Sequence, residues 1–257
     1  MKNRLHGVAP IGVAVIMLSG GLVGVPASAH VIDLPVTIRD FSPLTHPDFE
    51  NAVAVDRGFV GTVIGPGRKP VYVGPNFGTL TTHGPAWFDM WFNNTPGVNM
   101  AAPSSLAFDN SLPVHGGVYT FTDDTFFPID NMLLGNEGRS NNYHFTLELH
   151  TLFTYQPGMM FSFTGDDDLF VFINDRLVID LGGVHDAETA SVNLDTLALT
   201  PGQVYAFDLF YAERHTVDAS FSIQTSIVFM PSPGATTLAG LAGLLACKRR
   251  RQLSPEC

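Results

Sequence analysis

The chain has 257 residues, of which 45% are hydrophobic and 14% are charged, and its formal net charge is −11. Between residues 30 and 230 there are 7 basic and 23 acidic residues, which gives that segment a net charge of −16. This balance excludes nucleic acids and anionic membrane surfaces as natural partners of the segment and favours cations. Both cysteines, Cys247 and Cys257, lie beyond it, which excludes internal disulfides and thiol chemistry.

Residues 1–29 have the pattern of a signal peptide. Basic residues near the start precede an apolar, glycine-rich run over residues 8–25, and Ala27-Ser28-Ala29 provides the small residues of a cleavage site. We expect the mature protein to begin at His30 and residues 30–230 to fold as one domain. The pattern predicts export to the cell surface or the extracellular space.

Residues 231–257 form a second targeting segment. A short Pro- and Ser-containing start is followed by an apolar stretch over residues 236–247 and by a basic cluster over residues 248–251. The apolar stretch falls short of the ~20 residues that a helix needs to cross a bilayer. The layout resembles the bacterial PEP-CTERM sorting tail, although Ser232 stands where that family most often has Glu. The resemblance implies processing at the membrane and transient membrane contact during sorting; a plain C-terminal membrane anchor is the alternative.

The first half of the predicted domain alternates strands with loops. A strand is predicted around residues 36–41, and the Pro- and Asp-rich stretch after it predicts a loop to about residue 56. Residues 57–82 have the glycines and prolines of short strands joined by turns. The aromatic cluster at Trp87, Phe88, Trp91 and Phe92 holds both tryptophans, and residues 86–93 are the best helix candidate. We interpret the cluster as core packing; a sugar-stacking platform is the alternative.

The second half alternates apolar and polar residues with the period of two that is typical of half-buried strands. Two short aromatic strands are predicted between residues 114 and 128, and further strands are predicted from the alternation at residues 145–150, 159–163, 205–211 and 219–227. Many short strands with turn signals about every ten residues, and almost no helix, predict an all-β fold, an antiparallel sandwich or a barrel.

The most informative stretch is a predicted hairpin with an acidic end. Asp166, Asp167 and Asp168 precede two apolar runs, residues 169–173 and 177–181, which are joined by a polar turn at residues 174–175. Adjacent carboxylates repel one another, so a cation between them stabilises the cluster, and a hard, oxygen-binding cation such as calcium suits them. All three aspartates are therefore candidate metal ligands. A solvated loop that protects a sheet edge is the alternative.

The hairpin and four other motifs occur in the same order as in fibro-slime domain proteins, which are similar to the PA14 superfamily of β-sandwich domains. The other motifs are residues 37–41, 46–50, 126–130 and 210–215. The resemblance implies a PA14-like antiparallel β-sandwich with long loops, and it implies that Asp166 and Asp167 bind a calcium ion that holds sugar hydroxyls. Asp168 stands where many relatives have a small residue.

A second polar set follows the hairpin and a later strand. His185, Asp186, Glu213 and His215 could bind a transition metal; the alternative is a hydrogen-bonded network in which Arg214 offsets the acidic loop. We therefore regard His185, Glu213 and His215 as possible ligands or as neighbours of the ligands. An enzyme would have to use carboxylate pairs such as Asp166 or Asp168 with Glu213 on a glycosidic bond.

The sequence therefore predicts an exported, non-enzymatic, calcium-dependent module that binds an extracellular polysaccharide or glycan and acts in adhesion. The alternatives are a purely structural component of a matrix or envelope, without a ligand, and a glycan hydrolase based on carboxylates. The sequence leaves the oligomeric state and the identity of the glycan open.

Overall fold

The computed structural model describes residues 31–111 and 117–230. The strands are β1 (Val31–Phe41), β2 (Ala54–Val55), β3 (Asn99–Asp109), β4 (Tyr119–Asp123), β5 (Phe145–Thr154), β6 (Met160–Gly165), β7 (Asp168–Ile173), β8 (Arg176–Leu181), β9 (Gly183–Val184), β10 (Glu188–Asn193), β11 (Val204–Glu213) and β12 (Phe221–Thr225). The helical elements are the one-turn helix α1 (Pro85–Phe88) and 3-10 turns at Pro66–Arg68, Asp89–Trp91 and Leu194–Leu197. Within these ranges, no helix is long and apolar enough to cross a membrane.

Ten strands form one antiparallel sheet in the order β10-β6-β12-β4-β3-β1-β5-β11-β7-β8, and β2 pairs with β9 separately. The two end strands, β10 and β8, approach each other, so the sheet folds back on itself around a core. The all-β, antiparallel prediction is confirmed. The predicted signal peptide and sorting tail lie outside the described residues. Of the two strands predicted between residues 114 and 128, the structure describes β4.

The alternation in the second half correctly predicts which side chains face inward. Phe161, Phe163, Val171 and Ile173 are at most 1% exposed, and all four belong to the main core. Side chains alternate across a strand, so residues two positions apart, such as Phe161 and Phe163, lie on the same face. The inward-facing register of β6 and β7 is therefore confirmed.

A second apolar cluster covers the outer face of β7 and β11. Phe170 and Phe210 project from these strands onto Phe59 and onto the aromatic residues of the helical segment, Phe88, Trp91 and Phe92. Strand β7 is therefore buried on both faces. Core packing is confirmed for Phe88, Trp91 and Phe92, whereas Trp87 is half-buried and its ring contacts that of His46. The helix predicted at residues 86–93 is α1 followed by a 3-10 turn.

One expectation about β5 is wrong. The alternation at residues 145–150 predicted one solvent-facing parity, but Thr146 and Glu148 are buried. Segment 56–93 covers this face, and Glu148 pairs there with Arg39 and Lys69. Although burial opposes ionisation, the nearby His150 ring, the hydrogen bond from Lys69 and the charge of Arg39 lower the pKa of Glu148 to about 2.

The β7–β8 hairpin forms as predicted. Its turn consists of Asn174 and Asp175, whose φ angles are 50° and 65°. Two positive φ angles are typical of the type I′ turn, whose twist matches that of the two strands. The hairpin therefore places Asp168, the first residue of β7, at the end of the sheet opposite the turn.

Candidate functional site

Asp166 and Asp167 connect β6 to β7, and Asp168 begins β7. The alternative of a solvated loop is wrong for this cluster, because the three side chains lie beneath neighbouring loops. Asp166 is 8% exposed, Asp167 is 4% exposed and Asp168 is fully buried. Carboxylates at such depth require hydrogen bonds or a counter-charge.

Both carboxylate oxygens of Asp168 accept hydrogen bonds from other parts of the domain. Its Oδ1 accepts a hydrogen bond from the Gly183 N–H at 2.7 Å, and its Oδ2 accepts one from Nε of Arg214 at 2.6 Å. The pair is buried on both sides. Asp168 therefore positions Arg214 and the loop after β8, and it offers no open ligand position to the cavity described below.

Arg214 links this aspartate to two distant loops. Its Nη1 donates to the carbonyl oxygens of Asp48 at 3.1 Å and Thr81 at 2.7 Å, and its Nη2 donates to the Thr81 hydroxyl at 3.2 Å. The guanidinium also lies 4.5 Å from the centre of the Trp91 ring. The predicted network in which Arg214 offsets the acidic loop is thus present.

Asp167 adopts a left-handed backbone conformation, with φ of 55°, and organises two loops. Its Oδ1 accepts from the His185 N–H at 3.2 Å, and its Oδ2 accepts from the N–H groups of Arg214 at 2.7 Å and His215 at 3.1 Å. Burial raises the pKa of Asp167 to about 7, with Arg214 opposing the shift and Asp168 and Asp166 adding to it. The peptide bond between Asp166 and Asp167 is trans.

Asp166 accepts hydrogen bonds from only one residue among those that the structure describes, Ser220. Its Oδ1 accepts hydrogen bonds from the Ser220 N–H at 2.5 Å and from the Ser220 hydroxyl at 3.2 Å. Its Oδ2 accepts none from the residues that the structure describes. One oxygen of the cluster is therefore available to an external group.

Asp166 and Asp167 form the floor of a cavity of about 530 Å³ that we call the acidic cavity. Three exposed carboxylates, Asp124, Asp186 and Asp218, stand on its rim. The exposed side chains of Val53 and Val217 also line it. The cavity therefore combines an acidic floor and rim with two apolar side chains. Sequence reasoning missed Asp124 and Asp218 because they follow β4 and β11 at sites with no local motif.

The wall over residues 215–218 is tied to the rest of the domain by Glu50. This carboxylate accepts a hydrogen bond from the Thr216 N–H at 3.0 Å and contacts Nε2 of His144 at 3.0 Å. Nδ1 of the buried His144 lies 2.7 Å from Glu137. Although burial opposes ionisation, the hydrogen bonds from His144 and Thr216 lower the pKa of Glu50. Glu50 thus positions one wall of the acidic cavity.

Residues 89–237 match the PA14 domain family model. The chain belongs to the PA14 domain family. Two similar curated proteins come from Dictyostelium discoideum: psiR is 42% identical over 217 residues, covering 79% of this chain and 22% of psiR, and psiC is 39% identical over 212 residues, covering 76% of this chain and 41% of psiC. The chain therefore spans about a fifth to two fifths of the length of these relatives.

Two solved structures match this chain at low similarity. The PA14 sugar-binding domain from an RTX adhesin is 14% identical, with a TM-score of 0.29, and the match covers 44% of this chain and 74% of that domain. A subtype-switched epithelial adhesin A domain from Candida glabrata, in complex with β-lactose, is 13% identical with a TM-score of 0.33, over 79% of this chain and 82% of that one. Such scores say nothing about the ligand of this PA14 domain.

Three other predicted site residues, His185, Asp186 and His215, line the acidic cavity of this PA14 domain together with Asp166 and Asp167. The ring nitrogens of His185 contact the carbonyl oxygens of Asp186 at 2.9 Å and Leu181 at 3.4 Å. His215 lines the acidic cavity, and its ring contacts the Thr216 carbonyl oxygen at 2.9 Å. In residues 31–111 and 117–230, no three His, Cys, Asp or Glu side chains are grouped to hold a metal ion. The transition-metal interpretation is therefore not supported.

Glu213 is buried and accepts a hydrogen bond from the Tyr211 hydroxyl at 2.9 Å. Burial, together with the charges of Asp167 and Asp166, raises its pKa well above the ordinary value. Glu213 is not among the residues that line the acidic cavity, so it is not placed to bind a cation there. Because Asp168 and Glu213 are both buried, this pair cannot reach a glycosidic bond.

A calcium ion fits the PA14 acidic cavity in part. Calcium prefers six to eight oxygen ligands at flexible geometry, and the cavity floor offers the open oxygen of Asp166 and the remaining lone pair on Oδ1 of Asp167. The rim carboxylates, water and a bound ligand would have to supply the rest. The donor atoms are of the right type, but the protein alone does not complete the coordination.

Proposed function

We propose that this PA14 domain is a glycan-binding, adhesive module of an exported protein, and that calcium bound at Asp166 and Asp167 takes part in the binding. The observation that supports the proposal best is the open acidic cavity, which has the Asp-Asp pair at its floor. Its volume of about 530 Å³ lies within the range of ligand sites, roughly 300–1,000 Å³. Export is inferred from the predicted signal peptide.

In this proposal different residues bind the cation and position the loop that carries it. Asp166 and Asp167 hold the cation, while Asp168 and Arg214 keep the connection between β6 and β7 in place. Bound calcium would supply a positive centre to which sugar hydroxyls can coordinate. Val53 and Val217, which are 65% and 76% exposed, would contact the apolar face of a sugar ring.

Calcium is expected to stabilise the wild-type protein and to stabilise Asp166→Asn much less. An ion that binds only the native state adds about 2.7 kcal/mol at a hundredfold excess over its Kd. The asparagine can keep the Ser220 hydrogen bonds through its amide oxygen, but it removes the charge and replaces the open oxygen with a nitrogen that cannot bind a cation. Thermal melts with calcium and with chelator measure the difference.

The matched control is Asp175→Asn in the β7–β8 turn, where the side chain is 56% exposed. It should keep the full calcium shift. Asp167→Asn is less informative, because that carboxylate accepts three backbone N–H bonds and its loss would also weaken the fold. Equal shifts in wild type and both the Asp166 and Asp175 variants would place calcium elsewhere, and no shift in any of them would refute a calcium site.

Glycan binding is expected to saturate in calcium and to fall below detection with chelator or in Asp166→Asn. A glycan array probed with the full chain, followed by calorimetric titration of the best hit, measures this. Release of new reducing ends from the bound glycan would instead indicate a hydrolase.

A structural role without a ligand is the second candidate. It is favoured by the hydrogen bonds that Asp166, Asp167 and Asp168 accept from the loops around them, because these acids already have a use in holding the loops together. Binding to neither calcium nor any glycan on the array would support this candidate over the first.

A further inference from the structure

A second cavity, which we call the proline groove, lies between the turn at Pro66–Arg68 and the helical segment that begins at Pro85. Its volume is about 460 Å³, which also lies in the range of ligand sites, roughly 300–1,000 Å³. It shares no lining residue with the acidic cavity. Any ligand of the groove is therefore bound by different side chains from those of the proposed calcium site.

The walls of the proline groove are mostly apolar and rigid. They include Pro66, Pro70, Pro85, Val71 and Tyr72. Proline has no N–H group and only one ring conformation to lose, so such walls present carbon surface at little entropic cost. Val71 is 40% exposed, which leaves its side chain accessible to a ligand.

Three polar side chains complete the lining, and each keeps hydrogen-bonding capacity. Oδ1 of Asp89 and the Asp89 carbonyl oxygen both accept from Nδ2 of Asn93, at 3.2 and 2.8 Å, which leaves Oδ2 of Asp89 and the amide oxygen of Asn93 as acceptors. Lys69 contacts Glu148 through an ammonium group that has three hydrogens. The groove thus offers both donors and acceptors around an apolar wall.

The charges around the groove balance. The lining contains one basic residue, Lys69, which pairs with Glu148, and one acidic residue, Asp89. An uncharged ligand with several hydroxyl groups meets these conditions, because each hydroxyl both donates and accepts and the C–H face of a sugar ring packs on prolines. A proline-rich peptide fits less well, since grooves for such peptides are lined by several exposed aromatic rings, and of the two rings in this groove Phe88 is buried and Tyr72 is half-buried.

We propose that the proline groove is a second saccharide-binding site, specific for a neutral sugar and independent of calcium. Calcium independence follows from its lining, which contains a single carboxylate. A domain with two saccharide sites of different chemistry can hold two segments of a polysaccharide at once, which raises its avidity without any new contact. Saccharide binding in the proline groove does not depend on the proposed function, and only the gain in avidity rests on it.

The test is a titration of the isotope-labelled full chain with lactose, cellobiose and maltose in the presence of chelator, followed by amide NMR. We expect at least one of these disaccharides to shift the amide signals of Val71, Tyr72 and Asn93, with a Kd in the range of ~1 mM that corresponds to weak binding. Asp89→Ala should weaken that binding about tenfold or more, because it removes a charged acceptor. Val71→Trp should block the groove and abolish the shifts.

The control is Val73→Trp, two residues further along the same segment. Val73 is 58% exposed and does not line the groove, so this variant should bind like the wild type. Absence of shifts with all three sugars under chelator would overturn the proposal, and so would shifts that survive both Asp89→Ala and Val71→Trp. Shifts that appear only with calcium and only around Asp166 would overturn it while supporting the proposed function of the acidic cavity.

Discussion

Replacing Arg214 with leucine is expected to lower the free energy of unfolding by about 3–5 kcal/mol, because removing one partner leaves the other charge of a buried pair uncompensated. Asp168 would lose its only cationic partner within the described residues, and the carbonyl oxygens of Asp48 and Thr81 would lose their donors. Denaturation in urea, followed by tryptophan fluorescence, measures the change, since the guanidinium lies against Trp91.

Two further variants separate the buried charge from a general effect of losing an arginine. Arg57→Leu removes an exposed pair with Glu188 and should cost at most about 1 kcal/mol. The double variant Arg214→Leu, Asp168→Asn should cost less than the sum of the two single variants, because the unpaired charge is gone. The role assigned to the Arg214–Asp168 ion pair would be contradicted if the losses in unfolding free energy of the two single variants added up to that of the double variant. It would also be contradicted if Arg214→Leu lost as little unfolding free energy as Arg57→Leu.

Truncation of Phe163 to alanine is expected to cost about 3–5 kcal/mol, the usual loss for a buried phenylalanine. Its ring is fully buried and lies 5.1 Å from the ring of Phe221 and 6.2 Å from that of Tyr211, measured between centroids. Gly165 lies so close to the Phe163 ring that a Cβ at position 165 would come within 2.6 Å of it. The denaturation midpoint is the measurement.

Phe77→Ala is the matched control for this core truncation. Phe77 is 88% exposed, so the same chemical change at this position should leave the midpoint almost unchanged. Equal losses from the two variants would show that the Phe163 effect does not come from core burial, and an unchanged midpoint for Phe163→Ala would show that the inward register of β6 is wrong.

The strands that the sequence predicted well are those whose pattern is local. The alternation around Phe161 and Phe163 identifies the inward face of β6 because a strand repeats every two residues. The turn at Asn174 and Asp175 was predictable for a similar reason: few side chains tolerate two consecutive positive φ angles.

The features that the sequence did not predict depend on contacts between distant residues. Glu148 has the pattern of an exposed strand position, yet it is buried by segment 56–93 and pairs with Arg39, which is 109 positions away. The burial of Asp166 and Asp167 was not predicted for the same reason: the chain segments that cover them begin at His185 and Arg214, far away in the sequence. Contacts between segments so far apart in the sequence leave no pattern in the residues around Glu148 or around Asp166 and Asp167.

The candidate site was predicted in its centre and missed at its edge. The Asp-Asp pair could be found because three adjacent carboxylates are conspicuous in a sequence and resemble a family motif. Asp124 and Asp218 follow different strands, and only the folded sheet brings them to the rim of the acidic cavity. The assignment of these residues as calcium ligands stays a prediction.

Arg214 also has a consequence for the conditions in which this domain can fold. Small exported domains commonly join their loops with disulfides, whereas this guanidinium joins the segments at Asp48, Thr81 and Asp168 through hydrogen bonds and charge alone. With both cysteines of the chain at positions 247 and 257, the described domain contains no bond that a thiol reagent can break. The stability of the described residues therefore does not rest on any disulfide.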